Sequence, residues 1–340
     1  MTAGGAAARE ALGRVDEGRA LETIQLSVKK ALDAVIEEME RSLTHDSPLV
    51  AQIGEHLMGM RGKMFRPTLL LLCSSVEGKA EPKAVNLAAS VELIHLATLV
   101  HDDAVDHSVL RRGMPTLNSL FSHQISVIMG DFLYSTALGQ LVSVGDLDAL
   151  RVLTRASTEM SVGEMRQLSV IDSLSFSEHD YYVLIRSKTA SLISAACEVG
   201  AICGAARYRE QLARYGDYLG MAFQITDDMI DYTEVRETTG KPTGLDLREH
   251  KVTLPLIAAL RTMPAADRLK VEALFADCEP DALEIAEVIR IVSDNGGLAY
   301  ARNQGSAFAS QARLALTDLP DTVARQALMK SISYVMERHA

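Results

Sequence analysis

Residues 83–106 read KAVNLAASVELIHLATLVHDDAVD, and this segment speaks for helix against strand. Its apolar positions Val85, Leu87, Val91, Ile94, Ala97 and Val100 recur mostly three and four residues apart, the period of a helix face. Glu81-Pro82 opens it, proline being tolerated in a first helical turn. The apolar text then stops on Asp102, Asp103 and Asp106. Residues 219–232, LGMAFQITDDMIDY, repeat the arrangement and stop on Asp227, Asp228 and Asp231.

Working outward, Ile24 to Leu43 has the same period and is broken at Ser47-Pro48. A second helix is expected over Val50 to Gly59, and a third after Arg66-Pro67, with Pro67 as its first residue. Arg111 to Pro115 reads as a loop. Helices are expected at about 118–144, 146–170, 178–203 and 207–232, with a loop at Thr238 to Gly244. Helical text resumes near Val252 and runs to the end, with breaks at Pro264, Pro280, Gly296-Gly297 and Pro320. No strand alternation, repeat or linker interrupts this. The expectation is an all-α fold, one domain over residues 21–340, with residues 1–20 as a disordered leader.

Composition agrees: the chain is 48% hydrophobic and only 5% aromatic, has no Trp, and is rich in the helix formers Ala, Leu, Glu and Met. A net charge of −11 argues against general nucleic-acid binding, which needs a positive field. Cys73, Cys197, Cys203 and Cys278 form no CxxC pair and read as reduced and buried, in a cytoplasmic protein. The Ala/Gly-rich start lacks the apolar segment of a signal peptide. No uncharged apolar run is long enough to suggest a transmembrane segment.

On a helix, residues i and i+4 share a face, so Asp102 and Asp106 point one way, as do Asp227 and Asp231. Carboxylates so placed suit Mg²⁺, which commonly takes one or two of them together with substrate phosphate oxygens. Each cluster ends an apolar helix, where grouped carboxylates are costly without a cation. Lys63, Arg66, Arg111, Arg112, Lys241 and Lys251 lie beside these clusters or at helix breaks, and Lys188 lies on a mid-chain helix. Arg suits bidentate phosphate binding and Lys supplies a point charge. Two acidic clusters with surplus cations suggest two phosphorylated substrates, only one of them held through metal.

At this point the sequence resembles the trans-polyprenyl diphosphate synthases. The matching text is GKMFRP, ELIHLATLVHDDAVD, RRGMPT, GDFLYS, RSKTASL, FQITDDMIDY and GKPTGLDLREHKVTLP, in family order from about residue 60 to 255. The resemblance implies a bundle of long antiparallel helices around a central cavity, in a homodimer. It implies Mg²⁺-dependent addition of isopentenyl diphosphate to an allylic diphosphate, with about three Mg²⁺ ions per active site. Asp102 and Asp106, supported by Asp103, would bind metal from one wall, and Asp227 and Asp231, beside Asp228, from the other. Arg111, Lys188 and Lys241 would hold the allylic diphosphate. Lys63, Arg66, His95 and Arg112 would hold isopentenyl diphosphate. Thr189 and Gln224 would turn oxygen dipoles toward the allylic cation, and Lys251 would lie near the metal-bound diphosphate. One departure is His250, where family members often have glycine. Ala97 and Thr98, small residues five and four positions before Asp102, would leave a chain channel open. That favours a heptaprenyl to nonaprenyl product, octaprenyl first, for quinone side chains, over geranylgeranyl or farnesyl diphosphate. At most a transient membrane contact is expected, as product leaves.

Other classes stay open on the residues alone. Glu92-Leu93-Ile94-His95 is a Glu-x-x-His motif of the kind found in di-iron helical bundles, although that fold needs it on two helices. A non-catalytic prenyl synthase subunit should have lost an acidic cluster. A terpene cyclase or head-to-head condensing enzyme fits the symmetrical pair of clusters and the Lys63/Arg66 site less well. Arg338, near the C-terminus, could reach a diphosphate or be a frayed end.

Overall fold

A computed structural model describes residues 18–78, 80–169, 173–233 and 244–338. Helical residues 18–25 and a 3₁₀ turn, Leu26–Val28, lead into α1 (Lys29–Leu43). Then come α2 (Pro48–Gly59), α3 (Phe65–Ser74) and α4 (Lys83–Val105). After a hairpin follow α5 (Leu117–Leu120), α6 (His123–Val144), α7 (Leu147–Leu168), α8 (Glu178–Ile185), α9 (Ser191–Ile202) and α10 (Arg209–Thr233). The chain closes with α11 (Leu245–Arg248), α12 (Leu254–Leu260), α13 (Ala265–Ala276), α14 (Ala282–Asp294), α15 (Gly297–Ala315) and α16 (Val323–Glu337). The all-α expectation holds. Residues 1–17 of the expected leader lie outside the described residues, while its last three, 18–20, are helical.

Packing explains the placement of the acidic clusters. α4 packs most extensively on α6, α10 on α15 and α9, and α9 on α3 and α7. One large apolar cluster joins α1, α3, α4, α6, α7, α9 and the first half of α10. A second joins Tyr181, Met221, Ile225 and Met229 to α12, α14 and Ala301 of α15. The second acidic cluster therefore sits on a helix clamped between two cores.

Four expectations need correction. Leu110–Arg111 and Met114–Pro115 pair as short antiparallel strands where a loop was expected. The connection is two residues, Arg112 and Gly113, both at positive φ (53° and 78°), the signature of a type I′ hairpin turn. α3 begins at Phe65, two residues before Pro67, because Met64 takes a left-handed conformation and caps it. The helix expected over 178–203 is interrupted by a π-helical turn, Arg186–Ala190. Cys278 is exposed; the other three cysteines are buried, and all four are free.

Two helices, α4 and α6, are long and apolar enough to cross a membrane by length and composition, although none was expected. In the most apolar stretch of α4, 67% is buried in the fold, against 33% for α6. The open side of α6 carries Val127, Ile128 and Val142.

Candidate active site

The first wall is the end of α4. Asp106 caps this helix and is exposed, Asp102 is half-buried, and Asp103 is buried. Asp103 is braced: Arg111 Nε donates to its two oxygens at 2.9 and 2.8 Å, and Nη2 lies 2.8 Å from Oδ1. The hairpin thus returns Arg111 to the helix from which it left. Burial pushes Asp102 up to about 6, opposed by Lys188 and reinforced by Glu164 and Asp106.

The second wall is the end of α10, and here too the middle aspartate is buried and braced by side chains. Buried Asp228 accepts from Tyr181 Oη at 2.5 Å and from Gln224 Nε2 at 2.7 Å. Asp227 is half-exposed and carries Arg338, whose Nη1 lies 2.9 Å from its Oδ1. Asp231 accepts the backbone N–H groups of Leu245 and Asp246 at 3.0 and 2.9 Å, tying α10 to the short helix α11. Asp246, which the motif reading did not single out, is pushed well up by burial and by the nearby charges of Asp228 and Asp231.

Cations from distant parts of the chain meet these walls. Lys188, on the π turn, lies 3.9 Å from Asp102 and 2.6 Å from Glu164 of α7, and donates to Gln167 at 3.4 Å. Single-turn π insertions of this sort recur at functional sites, because they throw side chains out of the α-helical register. Lys251, after the second cluster in sequence, lies 3.9 Å from Asp106 of the first. Thr189 donates to Gln224 Oε1 at 2.7 Å. Lys241 lies outside the described residues.

A second cationic group forms alongside. Burial lowers the Arg66 guanidinium, with Glu92 and Asp227 opposing the shift and Arg112 adding to it. His95 is pushed well down by burial and then by Arg66, Arg112 and Arg111, so its ring is neutral. Arg112 donates to the Met60 carbonyl at 3.0 Å. A Cβ at Gly62 would meet the Arg112 guanidinium at 2.7 Å, so the glycine of GKMFRP makes room for it. The Lys63 ammonium sits 5.7 Å from the centre of the Tyr334 ring, and Arg338 stacks 4.5 Å from that of Phe223. α16 therefore ends over the site, which settles the frayed-end alternative for Arg338.

Ala97 is buried in the main core, and Thr98 is half-buried with its hydroxyl on the His95 carbonyl at 2.7 Å. His250 ends the turn after α11 at φ +54°, a conformation that favours glycine and costs other residues about 1–2 kcal/mol. Its ring lies 5.5 Å from Phe275. The departure from the family pattern is thus a local backbone matter.

A divalent metal fits this arrangement. Among the described residues no three acidic, histidine or cysteine side chains close on one point. Instead Asp102, Asp106 and Asp227 each have a lysine or arginine stationed beside them. Such a pocket suits an ion that shares its shell between few carboxylates and substrate oxygens.

A family model described as polyprenyl synthetase matches residues 47–292. The all-trans-nonaprenyl-diphosphate synthase (geranyl-diphosphate specific) of Rhodobacter capsulatus is 37% identical over 310 residues, covering 91% of this chain and 94% of the relative. The octaprenyl diphosphate synthase of Escherichia coli K12 is 35% identical over 298 residues, covering 87% and 92%. A polyprenyl synthase from Caulobacter crescentus CB15, solved with calcium and isoprenyl diphosphate, superposes with a TM-score of 0.89 at 32% identity, covering 94% of this chain and 98% of that one. Two braced acidic helix ends, cations drawn to both, and near full-length likeness agree: the chain belongs to the polyprenyl synthetase family and is a prenyltransferase.

Proposed function

We propose that this enzyme joins isopentenyl diphosphate head-to-tail to an allylic diphosphate in repeated cycles and releases a long product of heptaprenyl to nonaprenyl length. The observation that carries the roles is the meeting of two acidic helix ends with two separate groups of cations. Asp102, Asp106, Asp227 and Asp231 hold Mg²⁺, about three ions by the family pattern. When bound, Mg²⁺ neutralises the charge that develops as the allylic carbon–oxygen bond breaks. Arg111, Lys188 and Lys241 hold the allylic diphosphate, and Lys251 lies near it. Arg111 is pre-set by Asp103. Lys63, Arg66, His95 and Arg112 hold isopentenyl diphosphate without metal. Thr189 and Gln224 face the cation, which the double bond of isopentenyl diphosphate attacks. The released diphosphate takes the proton.

Product length follows from α4. One helical turn is about 5.4 Å, close to one prenyl unit. Ala97 and Thr98 leave the first turn before Asp102 without a bulky side chain. The shorter-chain reading applies if Ala97 serves only to pack the core in which it is buried. Ala97→Tyr should shorten the product to farnesyl or geranylgeranyl length while the first condensation survives. Mass spectrometry of the products checks this, and an unchanged distribution would show that the channel does not pass this position.

We place the enzyme in the cytoplasm, as a homodimer serving quinone side-chain synthesis. The dimer is supported by the apolar residues left open on the α6–α7 hairpin: Ile128 and Val142 on α6, Met165 and Leu168 on α7, each 66–71% exposed. Light scattering should give about twice 36.9 kDa. Ile128→Asp with Met165→Lys should give the monomer mass.

A further inference from the structure

Tyr181 belongs to no motif in the sequence, yet it is 1% exposed and aims its hydroxyl at the second acidic cluster. Three hydrogen bonds run in series from it. Tyr181 Oη donates to Asp228 Oδ2 at 2.5 Å, Gln224 Nε2 donates to Asp228 Oδ1 at 2.7 Å, and Thr189 Oγ1 donates to Gln224 Oε1 at 2.7 Å. The series connects α8, and the π turn that directly continues it, to α10.

The chemistry of the groups gives the series a direction. A carboxylate only accepts, so both of its neighbours must donate. Gln224 therefore turns its NH₂ toward Asp228, which leaves its carbonyl facing Thr189. That carbonyl also only accepts, so the single hydroxyl hydrogen of Thr189 is committed to it. What Thr189 has left to present is lone pairs. With Asp228 less firmly held, the amide could turn over and donate to Thr189. The hydroxyl hydrogen would then be released toward the cavity, where it would repel a carbocation.

We propose that Tyr181 is a positioning residue for the condensation: through Asp228 and Gln224 it holds the Thr189 oxygen with its lone pairs toward the allylic carbon as that carbon becomes positive. This rests on the role given above to Thr189 and Gln224. Electrostatic stabilisation by oriented oxygens acts on the transition state, so the effect should fall on turnover and leave ground-state binding alone.

The test is a double-mutant cycle on the full-length enzyme with Mg²⁺, using Tyr181→Phe and Thr189→Val. Each single variant is expected to lower kcat about tenfold, the scale of one hydrogen bond. KM for both substrates and the Mg²⁺ half-saturation concentration should change less than about twofold. The double variant should be no slower than the slower single variant, because both changes remove the same oriented oxygen. Losses that multiply to about a hundredfold would overturn the proposal. So would an unchanged kcat in Tyr181→Phe, or a raised Mg²⁺ half-saturation, which would place Tyr181 in the service of the metal wall. If Tyr181→Phe does not fold, Gln224→Met paired with Thr189→Val gives the same readout on the middle link. A wild-type enzyme that makes no prenyl diphosphate would defeat the functional assignment instead, so the two failures are distinct.

Discussion

Asp102→Ala and Asp227→Ala are each expected to lower kcat at least about a hundredfold, with the protein still folded. Neither side chain is a core residue: Asp102 is 21% exposed and Asp227 42%. Neither carries the packing that Asp103 and Asp228 do through Arg111, Tyr181 and Gln224. What each variant removes is one arm of a metal clamp, so the loss belongs to turnover, and more Mg²⁺ should restore little of it. Asp227→Ala also releases Arg338 from its partner, which Asp227→Asn with Arg338→Gln controls for. Steady-state rates and thermal melting of the variants check this. Near-normal turnover in both would remove the two-wall mechanism.

Lys63→Ala and Arg66→Ala are expected to raise KM for isopentenyl diphosphate about ten- to a hundredfold and to leave KM for the allylic substrate within about threefold. Lys188→Ala should act on the allylic substrate or on turnover. The separation follows from the surroundings. Arg66 shares its neighbourhood with Arg112 and with the carboxylates of Glu92 and Asp227. Lys188 stands against Asp102 and Glu164. Arg66→Ala leaves buried Glu92 without its first compensating charge, so some loss of stability should accompany the KM effect. If Lys63→Ala weakened only the allylic substrate, the two sites would be interchanged.

The helices and both acidic clusters are legible in the sequence because their signals are local: three- and four-residue spacing, and carboxylates four residues apart on one face. The bracing of those clusters is not legible. Tyr181 meets Asp228 across 47 residues, and no period or motif links them. The division of labour within each DDxxD, with Asp103 and Asp228 held inward by side chains and Asp231 tied to the α11 backbone, depends on tertiary packing. The π turn at Arg186–Ala190 is invisible to a 3.6-residue period, which reads straight through it. The hairpin was open to reading: Arg112-Gly113 ends in a residue suited to positive φ, but two-residue strands are too short to alternate. Cys278 follows α13 by two residues and lies between Asp277 and Glu279, a charged setting that agrees with its exposure. Arg338 reaches Asp227 only because α16 folds back over α3 and α10, a tertiary fact.

The most direct measurement is a product assay: purified enzyme, an allylic diphosphate primer, labelled isopentenyl diphosphate and Mg²⁺, read by mass spectrometry, with a chelator control. The expected result is a ladder of prenyl diphosphates that ends between heptaprenyl and nonaprenyl and disappears with the chelator. A label that never enters an allylic product, or that enters equally well without a divalent metal, would contradict it.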